Sequence, residues 1–148
     1  MKISAKSKYA LSSMLYLAEM QHIKEKINLS VLARNLSISK IYLEQVFAAL
    51  KKEGYVVSVK GAGGGYALAK TPTKINVYNI LNLFETSLFE STKSFLDDEN
   101  ANIQETIKEN IFDPLDKSIK DFLLKITIED LLESLKEKRN DETPMYYL

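Results

Sequence analysis

The chain has 148 residues, 45% hydrophobic and 27% charged, and no apolar run approaches the roughly 20 residues of a membrane span. Cysteine is absent and His22 is the only histidine, which excludes disulfides, thiolate nucleophiles, cysteine-held metals and a histidine-rich metal site, and no nucleophile–base–acid triad around His22 is legible. Net charge is zero but divided: residues 1–70 hold eleven Lys or Arg against four Asp or Glu, and residues 71–148 hold nine against sixteen. A basic, polyanion-binding half beside an acidic half is expected.

Ser4 is a candidate cap for a first amphipathic helix running to Met20, with Tyr9, Leu11, Met14, Leu15, Leu17 and Ala18 at helical spacing. Tyr9 reads as core, and His22 as a solvated loop residue just beyond the helix. The apolar content of this segment is interrupted by Ser7, Ser12 and Ser13, so it lacks a signal-like core and a cytoplasmic protein is expected.

Asn28 is placed to cap a second helix through Leu36, and Ser39 a third from Lys40 to Glu53, ended by Gly54. Two short helices joined by so brief a turn form a helix-turn-helix pattern. Leu32, Ala33 and Leu36 of the first, and Leu43, Val46, Phe47 and Leu50 of the second, are expected inside. Lys40, Ile41, Tyr42, Glu44 and Gln45 are left facing outward, while Lys51 and Lys52 suit the negative end of the helix dipole.

Tyr55–Lys60 and Tyr66–Ala69 read as two strands of a β-hairpin around the turn Gly61-Ala-Gly-Gly-Gly65, with Pro72 ending it. A phosphate loop is a poor rival, because neither G-x-G-x-x-G spacing nor a Gly-Lys-Ser/Thr is present. Asn76 then caps a short helix that buries Val77, Ile80, Leu81 and Phe84.

The pattern weakens from Thr86 to Asn102, where Asp97–Asn100 reads as an acidic loop. It resumes with Ile103, Ile107, Ile111, Phe112, Leu115, Ile119, Phe122, Leu123 and Ile126 in a long helix that Pro114 either breaks or bends, with Asp113 as a restart cap. Thr127–Asp130 forms a capping box for a last short helix through Leu135, and Lys136–Thr143 reads as a charged tail. A long apolar stripe after a small complete domain has too little of its own chain to pack against. A second copy covers it, and Ile107, Ile111, Phe112, Leu115, Ile119, Phe122 and Leu123 are the expected homodimer residues.

The fold class is therefore mainly α with a small β-hairpin: a winged helix-turn-helix domain over residues 1–85, then a linker, dimerisation helix and tail over 86–148. The chain is expected to be a DNA-binding regulator and not an enzyme. A winged-helix adaptor that binds protein without specific DNA binding is the open alternative.

Met1–Leu11, Tyr42-Leu-Glu-Gln-Val-Phe47, Ser58-Val-Lys-Gly-Ala-Gly-Gly-Gly-Tyr66, Asn76–Glu85 and Ile126–Leu131 resemble, in colinear order, the Rrf2 family of dimeric bacterial transcription regulators. The resemblance implies that the helix bearing Lys40, Ile41, Tyr42, Glu44 and Gln45 enters the major groove of a palindromic operator. It places the wing tip, Lys60 with Gly61, Gly63 and Gly64, at the minor groove; phosphate contacts are expected from Lys2, Lys6, Lys8 and Lys40. The chemistry agrees, since Gln reads adenine, Glu accepts from cytosine N4, and a cation suits a narrow groove. Many family members hold an iron–sulfur cluster on three cysteines in the segment matching Phe89–Gln104. That segment here has no thiol, so no cofactor is expected. The resemblance is strongest to the cluster-free branch, which represses cysteine-metabolism genes in Gram-positive bacteria together with cysteine synthase. Tyr146, Tyr147 and Leu148 then form either a C-terminal segment that this enzyme captures or an apolar end docked on the dimer.

Overall fold

The computed structural model describes residues 1–142. The Tyr146–Leu148 segment lies outside the described residues. Helix α1 (Ala5–Met20) begins at Ser4, whose side chain accepts from the Ser7 N–H. Helix α2 (Leu29–Leu36) begins at Asn28, which caps it through Ser30. Ser37 ends α2 in the left-handed region at φ 54°, and the Ile38 N–H reaches the Ala33 carbonyl at 2.9 Å. This Schellman-type exit turns the chain sharply into helix α3 (Lys40–Lys52). Ser39 stands at the α3 N-cap position but makes no capping hydrogen bond with its side chain, contrary to expectation. Gly54, at φ 77°, closes α3 with the same exit geometry.

Strands β1 (Val56–Val59) and β2 (Gly65–Leu68) pair antiparallel with Val56 opposite Leu68 and Ser58 opposite Tyr66. After a 3-10 turn at Pro72–Lys74 comes helix α4 (Val77–Asn82), capped by Asn76 through the Asn79 N–H. Val77, Ile80 and Leu81 are buried, while Phe84 is only half-buried.

The expected acidic loop contains one 3-10 turn, Asp98–Asn100, capped by Asp97. The long helix then runs without a break as α5 (Ala101–Ile107), a π-helical turn (Lys108–Phe112) and α6 (Asp113–Leu124). Pro114 has no N–H to give and its ring would crowd the carbonyl four residues back; the π turn widens the helix there. Asp113 is itself helical rather than a restart cap, and accepts from Lys108 at 2.9 Å, five residues away.

Helix α7 (Ile128–Asp141) opens with the expected capping box of Thr127 and Asp130 but runs well into what reads as a charged tail. It returns to the N-terminal part of the chain. The Ile128 N–H donates to the Ile75 carbonyl and the Val77 N–H to the Ile126 carbonyl, both at 2.8 Å. Ile128 and Leu132 are buried in one core with Ala10, Met14, Leu17, Leu43, Val46, Phe47, Leu50 and Ile80, and Arg139 pairs with Glu19 at 3.2 Å. No helix among the described residues is long and apolar enough to cross a membrane.

Candidate nucleic-acid interface

Helix α3 is anchored from one side only. Leu43, Val46, Phe47 and Leu50 are buried, and Lys40, Ile41, Tyr42, Glu44 and Gln45 are all exposed, Ile41 at 70%. Two aromatic contacts set the helix against its neighbours. Tyr42 meets Tyr9 of α1 edge-on at 5.5 Å between ring centroids, and Phe47 packs on Tyr66 of β2 at 4.8 Å. Tyr9 is thus half-buried at the core's margin and supports an exposed α3 residue.

The wing is buttressed by the loop before α2. Ile27 and Tyr66 exchange two backbone hydrogen bonds of 2.9 Å. Gly65 lies so close that a Cβ there would stand 2.9 Å from the Ile27 carbonyl carbon and oxygen. The Asn28 Nδ2 donates to the Gly63 carbonyl at 2.6 Å, and the Lys26 ammonium to the Lys60 carbonyl at 3.2 Å. Lys60 is exposed at the end of β1, and Gly61–Gly64, closed by a 2.9 Å bond from the Gly64 N–H to the Gly61 carbonyl, form the tip itself. Lys24 and Lys26 line a cleft with Gly63 and Gly64, two cations that the pattern-based reading passed over. The mixed Lys24-Glu-Lys26 loop was the available signal, but a charged loop reads as solvent-facing unless the wing is known to fold onto it.

Lys2, Lys6 and Lys8 are exposed around the start of α1. This end is fixed by Glu85, just past α4, whose carboxylate accepts from the Ser7 hydroxyl at 2.6 Å and from the Ser4 N–H at 2.7 Å. Glu85 is only 8% exposed, and the Ser7 hydroxyl bond, ahead of the opposing effect of burial, holds its carboxyl below the ordinary range. No spacing rule links residues 4, 7 and 85, so this clamp was invisible in sequence.

The expected dimer residues divide into two sets. Ile107, Ile111, Leu115 and Phe122 are exposed, the last at 63%, and Ile103 extends their stripe toward the N-terminus, while Leu124, also exposed, lies on the opposite face of α6. Phe112 is half-buried, facing Phe95 at 6.1 Å between centroids. Ile119 and Leu123, also half-buried, line an apolar groove of about 390 Å³ with Phe122, Met1, Ile3 and Leu81.

This arrangement displays hydrogen-bonding and cationic groups on a rigid support. The Rrf2 family model, whose description is "Iron-dependent Transcriptional regulator", matches residues 3–134. The chain belongs to the Rrf2 family. It is 32% identical to the HTH-type transcriptional regulator CymR of Bacillus subtilis over 148 residues, the full length of both. It is also 31% identical to IscR of Erwinia tasmaniensis over 134 residues, covering 90% of this chain and 80% of that one. The solved structure of B. subtilis CymR superposes with a TM-score of 0.71 at 31% identity, over 90% of this chain and 98% of the other. The T. potens IscR structure gives 0.67 at 34% identity, over 99% and 95%.

This Rrf2 protein is a winged-helix, DNA-binding transcriptional regulator, and its relatives are regulators rather than enzymes. The family's description implies iron, yet the residues here do not fit a cysteine-held cluster. The chain has no thiol, and the described residues contain no cluster of three or more His, Cys, Asp or Glu suited to a metal. In the segment 89–104 the Gln104 Oε1 instead accepts from the N–H groups of Phe95 and Leu96, at 2.6 and 2.8 Å, and ties the loop to α5.

Proposed function

We propose that this protein is a homodimeric, cluster-free Rrf2 repressor that reads a palindromic operator and controls genes of cysteine and sulfur metabolism. The observation that carries the reading is the outward polar face of α3, held between Tyr9 and Tyr66 beside a buttressed wing. In this reading Gln45 and Glu44 contact base edges, Ile41 packs on a thymine methyl, and Tyr42 and Lys40 meet the groove wall. Lys60 with Gly61, Gly63 and Gly64 approaches the minor groove, and Lys2, Lys6 and Lys8 contact phosphates.

Dimerisation is supported by the exposed stripe from Ile103 to Phe122 and by its continuity, through Phe122, with the apolar groove at Met1 and Ile3. A second copy is the occupant that covers both. A palindromic operator presents its half-sites about 34 Å apart, one helical turn of DNA, and so needs one α3 from each of two copies. The sulfur assignment rests on the full-length similarity to CymR, called the global cysteine regulator of B. subtilis, and on the missing thiols. Cysteine synthase is the proposed protein partner, through Tyr146, Tyr147 and Leu148.

The test is sequencing of genomic fragments retained by the purified protein, with and without cysteine synthase. A palindrome upstream of sulfur-metabolism genes, bound more tightly with the enzyme, is expected. A palindrome elsewhere with indifference to the enzyme removes the sulfur assignment, and no enriched sequence removes the operator reading. Eight phosphate contacts per dimer, from Lys2, Lys6, Lys8 and, at the groove wall, Lys40 of each protomer, give a log–log salt slope of about −7.

A further inference from the structure

Between α4 and α6 the segment after Glu85 leaves a cleft of about 280 Å³ that none of the DNA or dimer contacts uses. One wall is aromatic: Tyr78 of α4 and Phe89 of the loop meet edge-on with centroids 4.7 Å apart. The other is a charged face of α6 carrying Asp113, Asp116, Lys117 and Lys120. Two of these charges already have partners. Asp113 is held by Lys108 at 2.9 Å, and Lys117 by Asp121.

Asp116 and Lys120 remain. They stand four residues apart with the acid first, the order in which such pairs ordinarily close on a helix. Among the described residues they do not close, because the Lys120 ammonium lies over the Tyr78 ring, 5.5 Å from its centroid. The cleft therefore presents a carboxylate, an ammonium and an aromatic wall side by side.

The geometry points to a binding site for a small zwitterion with an apolar side chain, that is, an α-amino acid. Its ammonium meets Asp116, its carboxylate meets Lys120, and its side chain lies against Tyr78, Phe89 and Leu88. The volume falls at the small end of ligand sites, which suits a metabolite of leucine to phenylalanine size. The site joins two parts of the molecule. Tyr78 belongs to α4, whose Ile80 is buried in the core shared with α1 and α3, and the two charges belong to the long helix. A ligand touching both favours one angle between them, so amino acid and operator change each other's affinity by the same factor. That coupling rests on the regulator reading above; binding in the cleft does not.

The test is titration calorimetry of the full chain with L-leucine, L-methionine and L-phenylalanine, each up to millimolar concentration. Alongside them go 3-methylbutylamine and 4-methylpentanoate, which keep leucine's apolar part and one charge each. At least one amino acid binds, and the single-charge analogues of leucine bind roughly tenfold more weakly than leucine or not at all. Asp116→Asn and Lys120→Gln each weaken binding by roughly tenfold, whereas Lys136→Gln on α7 leaves it unchanged. Circular dichroism confirms that each variant folds, and the analogue series needs no variant. Silence from all three amino acids, or equal binding of leucine and its single-charge analogues, overturns the site. Heat from an amino acid in a protein that retains no DNA upholds the cleft and removes the regulator reading instead. Binding of both ligands with no mutual effect upholds the site and overturns the coupling.

Discussion

Asn28 and Gly63 are joined by a 2.6 Å hydrogen bond from the Asn28 Nδ2 to the Gly63 carbonyl, while the Asn28 Oδ1 accepts from the Ser30 N–H at 2.7 Å. One side chain thereby starts α2 with its oxygen and holds the wing tip with its nitrogen. The two roles separate on substitution. Asn28→Ser keeps a capping oxygen and stays neutral, so stability changes by less than about 0.5 kcal/mol, but the wing tie is lost. Asn28→Ala loses both and costs about 1 kcal/mol. Thermal unfolding beside DNA titration checks this: weaker DNA binding by Asn28→Ser at unchanged stability is expected, and unaltered binding would show that the wing needs no tether.

Glu85 makes stability depend on acid. Its carboxyl is held below the ordinary value by Ser7 and Ser4, so its contribution is fully present above the unfolded-state pKa of about 4.3 and is lost as pH falls through the folded value. Glu85→Gln replaces charge-assisted bonds with weaker neutral ones and costs about 1–2 kcal/mol at pH 7. Urea unfolding of both proteins at pH 7 and pH 3 should show the gap narrowing in acid. A gap of constant size refutes the carboxylate assignment.

Ser37 is the one non-glycine residue with positive φ among the described residues. The left-handed conformation costs a Cβ-bearing residue roughly 1 kcal/mol, and glycine escapes it at the price of extra freedom in the unfolded chain. Ser37→Gly is expected to raise stability by about 0.5–1 kcal/mol in denaturant unfolding, with α3 and its outward-facing residues unmoved. Destabilisation would mean that the turn is held by something other than its backbone.

Ile111 and Leu115 are 57% and 52% exposed in the isolated chain, so a charge at either site costs the protomer fold less than about 0.5 kcal/mol. In the proposed dimer the same charge is buried without a partner. Ile111→Glu or Leu115→Glu should sediment as a monomer with wild-type circular dichroism and lose palindrome binding. A dimer that survives both substitutions places the subunit contact elsewhere.

Gln45 and Lys6 are predicted to fail differently. Gln45→Ala relaxes the preference at one base position, while Lys6→Ala weakens every sequence alike and reduces the salt slope by about 1 per lysine removed. Binding-site selection on each variant, with titration at several salt concentrations, separates them. Uniform weakening by Gln45→Ala would take it away from the base edge.

Much of the architecture was readable because it is locally encoded. Ser4, Asn28, Asn76 and Thr127 each accept from a backbone N–H two or three residues on, which any capping reading can anticipate. The α3 face bearing Glu44 and Gln45 follows from helical spacing alone, because Leu43, Val46, Phe47 and Leu50 occupy the other face. Ser39 and Asp113 show the limit of that logic. Both are good cap types, but at Ser39 the helix starts without side-chain help, and at Asp113 the preceding π turn keeps the backbone helical.

What the sequence by itself determined is the set of elements, the outward face of α3 and the lack of thiol ligands, since these depend on residue type and on spacings of a few positions. The tertiary structure alone decided which distant groups meet: Glu85 with Ser4 and Ser7, Asn28 with Gly63, Tyr9 with Tyr42, and α7 with the core at Ile128 and Leu132. The physical reason is range. A cap or a turn is settled by bonds within one stretch of backbone, whereas a buried carboxylate or a tethered loop finds its partner only after hydrophobic burial has fixed the path of the whole chain.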